Sequence, residues 1–75
     1  MNLIDGVKTA LSAGGKTQAD LVAVFGVSAQ AIANKQSRGT WSVKELMQIA
    51  EAAGGKLLIE FPDGTKVVFS DPQEE

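Results

Sequence analysis

Cysteine and histidine are both absent from this sequence, and each absence closes a class of chemistry. Without them there is no disulfide framework, no thiolate or imidazole zinc site and no histidine-dependent catalytic triad. Acids at the loop spacing of an EF-hand are missing too, so neither a metal ion nor a cofactor is expected. No apolar run approaches the ~20 residues of a membrane span, and the N-terminal stretch lacks the basic-then-apolar order of a secretory leader. The simplest address is therefore the cytoplasm, with no membrane partner. The 75 residues make one domain at most. A chain of that size buries only roughly 60% of its unfolded surface, too little for a doubly wound nucleotide fold or a barrel enzyme. No nucleophile–base pair and no small-molecule pocket can be picked out, so the expectation is a binding protein and not an enzyme.

Positive charge is also short overall, with seven bases against nine acids and a net charge of −2. Its distribution says more than its total. Residues 1–15 hold Asp5 and Lys8, which cancel. Residues 16–44 hold Lys16, Lys35, Arg38 and Lys44 against Asp20 alone, a net +3. Residues 45–75 hold Lys56 and Lys66 against seven acids (Glu45, Glu51, Glu60, Asp63, Asp71, Glu74 and Glu75), a net −5. A basic segment inside an acidic chain is an electrostatic footprint suited to phosphate, although two differently solvated faces would give the same pattern.

What is present divides the chain cleanly. Leu3, Ile4, Val7, Ala10 and Leu11 recur at helical spacing up to Gly14-Gly15. Thr17 and Asp20 form a capping-box pattern opening a second helix with an apolar face of Leu21, Val24 and Phe25, which Gly26 breaks. Ser28 caps a third helix running through Gln36, with Ile32 as its one large inward residue. Leu21, Val27 and Ile32 are placed to share a core. Ser42 and Glu45 make a further capping box for a fourth helix, carried by Val43, Leu46, Met47, Ile49, Ala50 and Ala53 to Gly54-Gly55. The period then changes. Residues 56–61 and 65–69 are β-branched and aromatic runs around Pro62-Asp63-Gly64, a three-residue hairpin loop in which glycine supplies a positive φ. That loop pairs Glu60 with Lys66, Ile59 with Val67, Leu58 with Val68 and Leu57 with Phe69. The expected fold is mainly α: a helical domain over 1–55, a two-stranded antiparallel β-hairpin over 56–70 in the same domain, and an acidic tail over 71–75.

Residues 17–37 carry the functional signal. Two short helices joined by Gly26-Val27-Ser28 suit a helix-turn-helix, in which the first helix spans phosphates while the second enters a major groove. Two ordinary helices of a small bundle are the plainer alternative. Ala13-Gly14-Gly15-Lys16-Thr17 is similar to the end of a phosphate-binding loop. Ala10, however, stands where that loop needs a glycine and a helix precedes it, so it reads as a helix stop followed by a cap.

Gln18, Leu21, Gly26, Val27, Ser28 and Ile32 resemble the pattern of lambda-repressor-like, Cro/Xre-type DNA-binding domains. Gln30-Ala31-Ile32-Ala33-Asn34-Lys35, Arg38-Gly39, Ser42, Glu45-Leu46 and Ile49-Ala50 are similar to a subgroup of small bacterial or phage-type regulators. The resemblance covers roughly residues 3–55 and, more loosely, the hairpin. It implies a bundle of four to five short helices, duplex DNA as partner, and regulation of transcription, with repression as the expected mode. One departure is Val22, where the family usually has alanine because the two helices nearly touch; the small Ala29, Ala31 and Ala33 offset that bulk.

Chemistry and resemblance together give candidate roles. Gln30 and Asn34 are amides one turn apart, each offering the donor–acceptor pair that matches adenine, and Ala29 and Ala33 suit a thymine methyl. Lys35 and Arg38 are better placed for phosphates. Gln18 resembles the family's phosphate clamp, and Lys16, Thr17 and Ser28 lie beside it and at the start of the third helix. Thr40, Ser42 and Lys44 could grip the backbone on the other side. In the hairpin, the Ile59/Phe61/Phe69 face is expected to rest on the fourth helix. Leu58 opposite Val68 remains as a dimer contact, since an open edge beside apolar residues favours a second copy. A homodimer would read half-sites roughly 34 Å apart. With three or four phosphates per subunit its log–log salt slope would be around −5 to −7. The rival reading is a protein-interaction module, an anti-repressor or adaptor, with DNA binding weak or lost. The acidic total, the arginine-free recognition helix and Val22 favour that rival, while Gln30, Asn34 and the local +3 favour DNA.

Overall fold

The fold is taken from a computed structural model in which residues 1–70 are described; the acidic tail expected at 71–75 lies outside them. Four helices precede a two-stranded antiparallel sheet: α1 (Leu3–Ala13), α2 (Asp20–Phe25), α3 (Ala29–Arg38), α4 (Val43–Ala52), β1 (Leu57–Glu60) and β2 (Lys66–Phe69). No helix among the described residues is long and apolar enough to cross a membrane.

Side-chain caps set most helix starts. The Asn2 carboxamide accepts the Asp5 N–H, the Ser28 hydroxyl accepts that of Ala31, and Ser42 and Glu45 form a full capping box. Each satisfies a backbone donor that the first helical turn leaves without a partner. At α2 only half of the expected box forms. Asp20 Oδ2 accepts the Thr17 N–H at 2.7 Å, but the Thr17 hydroxyl donates to the same oxygen and does not receive the Asp20 N–H. The Asp20 N–H donates instead to the Thr17 carbonyl, so one tight turn leads into the helix. α3 runs two residues beyond the expected Gln36, to Arg38, and stops at Gly39 with φ +64°. A side chain at Gly39 would be strained by that φ and crowded by Ile4 Cγ1 at 3.3 Å.

The core gathers Val7 and Leu11 of α1, Leu21 of α2, Ile32 of α3, Trp41 of the α3–α4 connection and Ile49 of α4, with Val22, Phe25 and Leu46 packed against it. α1 packs on α3 and α4, and α2 packs on α3 and α4. Gly14 permits the approach of α1 to the end of α4: a Cβ there would stand 2.6 Å from both Cα and Cβ of Ala53. Val22, the bulkier residue at the crossing, is accommodated half-buried against the core.

Apolar expectations in the helical part are corrected, among them Val43, which is 59% exposed at the start of α4. Val24 and Val27 are exposed, and Val22 takes the inward role in α2 beside Leu21 and Phe25. Ile32 is not alone on the inner face of α3, because Gln36, one turn further on, is also buried. Trp41 supplies the remaining volume, stacking on Phe25 with ring centroids 5.7 Å apart.

The hairpin register agrees with the expected one at all four pairs, from Leu57↔Phe69 to Glu60↔Lys66. The Phe61 N–H donates to the Thr65 carbonyl at 2.8 Å, and the Asp63 carboxylate accepts the Thr65 N–H at 2.9 Å, closing the loop. The seating of the hairpin differs from expectation. It meets the bundle through β1 and α4, chiefly at the half-buried Leu57 and Leu58, while Ile59, Phe61, Val67 and Phe69 are exposed. With strands of only four residues, the ribbon leaves the bundle before its apolar face can lie along α4.

Candidate nucleic-acid interface

α3 is held from its inner side. Gln36 is 5% exposed; its Nε2 donates to the Ile4 carbonyl at 2.8 Å and its Oε1 accepts from Trp41 Nε1 at 2.9 Å. A buried amide with both ends used costs little, and it ties α3 to α1 and to the following connection at once. The opposite face is free to carry chemistry. Gln30 and Asn34 lie there, exposed, and Gln30 Nε2 donates to Asn34 Oδ1 at 3.0 Å. Gln30 keeps its oxygen and its second N–H, the fork that matches adenine in the major groove, and Asn34 keeps both of its N–H donors. Ser37 continues the strip, its hydroxyl donating to the Asn34 carbonyl at 3.2 Å.

Of the other base-reading candidates, Ala29 is exposed at the start of α3 and Ala33 is half-buried at the margin of the strip. The phosphate candidates are not equivalent. Lys16, Gln18, Arg38, Thr40 and Lys44 are exposed. Ser28 and Ser42 are helix caps whose oxygens accept backbone N–H groups; the Ser28 hydroxyl keeps its hydrogen for an outside acceptor, whereas that of Ser42 also bears on the Glu45 carboxylate. Thr17 donates both its N–H and its hydroxyl to Asp20, so neither is left for a phosphate. Those bonds hold the Asp20 carboxyl below its ordinary range, keeping a negative charge at the start of α2.

Lys35 departs most from its expected role. Its ammonium forms an ion pair with Glu45 at 2.8 Å and stands 6.0 Å from the centroid of the Trp41 ring. Burial pushes the Glu45 carboxyl up, but the Lys35 ammonium and the Ser42 N–H and hydroxyl outweigh it, leaving the group below its ordinary 4.5. Lys35 thus joins α3 to α4. The basic segment read from the sequence ends one residue before the acid that neutralises one of its cations. The exposed cations of the region are then Lys16, Arg38 and Lys44.

Leu58 and Val68 are cross-strand partners in the hairpin, the first half-buried and the second exposed. Among the described residues no group of three or more acids is gathered so as to hold a metal ion. Two of these features have readable signals in the sequence. Ser37 falls three residues after Asn34 and seven after Gln30, which places it on the same strip. Gln36 falls four residues after Ile32, on the inward face. Trp41 had no periodic signal, because it sits in a connection. Comparisons of the chain with protein-family models, with curated proteins and with solved structures gave no match.

Proposed function

We propose that the chain is a sequence-selective double-stranded DNA-binding regulator of the helix-turn-helix type, which represses by occupying its site and catalyses nothing. On this reading α2, Gly26-Val27-Ser28 and α3 form the reading unit, and the protein works in the cytoplasm. The observation that carries the proposal is the exposed, hydrogen-bonded amide pair Gln30–Asn34 on a helix whose other face is fastened by Gln36. Amides in that setting match adenine edges, while the exposed Lys16, Arg38 and Lys44 and the hydroxyl of Ser28 suit the flanking phosphates.

A second reading rests on observations of its own. Lys35 is tied to Glu45 and both Thr17 donors are tied to Asp20, which removes two of the proposed phosphate contacts. These favour a fold used to bind another protein. One experiment separates the two: incubation with a random duplex pool at two salt concentrations, followed by sequencing of what is retained. The DNA reading expects a short enriched motif that is lost when Gln30 and Asn34 are both changed to alanine. Unenriched, weakly salt-sensitive retention would refute it and leave the interaction module.

A further inference from the structure

No small-molecule pocket is expected from the sequence, yet the structure has one. A trough of about 420 Å³ runs between α1 and α4, floored by Val7 and Ile49, which are 3 and 2% exposed, and bounded on one side by Leu57 of β1. That volume lies within the range of ordinary small-ligand sites. Apart from Asn2 and Lys56 the lining is apolar, and Lys56 carries the only charged side chain on it. None of the walls belongs to α2 or α3, so the trough is separate from the candidate nucleic-acid interface.

Gly6 accounts for part of its depth. This glycine sits within α1 without a positive φ, and a Cβ added to it would meet no atom within 4 Å, so neither the backbone nor the packing calls for glycine there. A helical glycine weakens its helix relative to alanine. The space that a side chain at Gly6 would occupy opens on the trough. The wall on α1 runs from Leu3 to Ala10, about 10 Å along the helix axis. Lys56 also lines a second recess of about 330 Å³ with Ala10, Ala13, Ala50 and Ala53, which places it at the Ala10 end.

We propose that the trough binds a straight-chain carboxylate, its alkyl chain lying along Gly6 and Ala10 and its carboxylate at the Lys56 ammonium. An apolar recess longer than it is wide, between two helices, suits an extended chain. One cation and no acid on the lining favours a monoanion over a neutral or cationic chain of equal length. An ion pair at an exposed lysine is weak, so most of the affinity comes from covering the chain.

Decanoate, titrated into the full chain without nucleic acid and followed by amide chemical shifts, tests this independently of DNA recognition. It should bind saturably with a dissociation constant of about 1 mM or tighter, moving the signals of Gly6, Ala10, Ala50 and Leu57 and sparing those of Gln30 and Asn34. Gly6→Leu should abolish saturation with helical circular dichroism unchanged. Gly6→Ala, which fills less of the trough, should weaken binding by a smaller factor. Lys56→Glu should weaken it about fivefold or more, and decylammonium should bind the parent more weakly than decanoate does. Phe61 is exposed and outside the trough, so Phe61→Asp should leave the dissociation constant unchanged. No saturable shift up to about 10 mM overturns the proposal, as does a Gly6→Leu protein that binds like the parent or decylammonium that binds like decanoate. Shifts centred on Ile59, Phe61 and Val67 overturn it too, by moving the chain to the uncovered face of the hairpin.

Discussion

Replacing Gln36 by leucine keeps the side-chain volume close to the original and removes both hydrogen bonds, so its effect reads the polar clamp without opening a cavity. The Trp41 indole N–H is buried and loses its acceptor, a cost of about 1–3 kcal/mol. The Ile4 carbonyl lies within α1, where the helix ladder uses one of its lone pairs, so losing the Gln36 donor costs less, about 0.5–1.5 kcal/mol. Extra apolar burial by leucine offsets part of this, and a net loss of about 2 kcal/mol is expected. Against a total stability of about 4–11 kcal/mol for a chain of this length, that is a large share. The decisive quantity is the coupling between Gln36→Leu and Trp41→Phe. Once the indole N–H is gone, leucine at position 36 strands nothing there, so the double variant should be less destabilised than the sum by about 1 kcal/mol. Urea unfolding followed by far-ultraviolet circular dichroism measures all four proteins, including those without the single tryptophan. A coupling indistinguishable from zero would refute the claim that the two side chains work as one clamp.

Gly14→Ala should destabilise by about 1–3 kcal/mol in the same assay, because the new methyl has to push Ala53 aside. Ser42→Ala should cost about 1 kcal/mol through loss of the capping box at α4. Asp20, Glu45 and Asp63 are all held below their ordinary pKa values, so each contributes stability above that value that is lost as pH falls through the folded one. Acid titration of the thermal midpoint should therefore fall below about pH 4.5, and Lys35→Met should flatten the part due to Glu45. For DNA, three exposed cations per domain give a log–log salt slope of about −3, or about −5 to −6 for a dimer. Arg38→Ala should make the slope shallower by about 1 per domain while Lys35→Ala leaves it unchanged, which binding isotherms at several salt concentrations would check.

The hairpin register was legible because Pro62-Asp63-Gly64 allows one loop length, and a loop of known length sets every pair after it. Most helix limits were legible for a similar local reason, since Ser28, Ser42 and Gly26 each act on the few residues beside them, but α3 runs past the expected Gln36 to its stop at Gly39. Inward and outward directions were less so. Periodicity groups Leu21, Val24 and Phe25 on one face of α2, yet Val22 points inward and Val24 outward, because the chain must turn at once into α3. Periodicity also cannot tell whether a face has a neighbour. Ile59, Phe61 and Phe69 form an apolar face on any reading of their spacing, and only the three-dimensional path of the ribbon shows it uncovered. The charge reading of the candidate site failed at Lys35 for the same reason: its partner Glu45 lies across a segment boundary in sequence but only 2.8 Å away in space.

The fastening of α3 by Gln36 bears on how such a protein can change over generations. Gln30, Asn34 and Ser37 touch solvent and one another, and none belongs to the core. Substitutions at exposed positions of this kind usually shift stability by no more than about 0.5 kcal/mol. The outward strip can therefore be rewritten residue by residue while the helix stays anchored. On the proposed DNA reading, a lineage carrying this scaffold would move from one target to another without passing through unfolded intermediates, the residues that hold the helix staying the same while those of the outward strip are replaced.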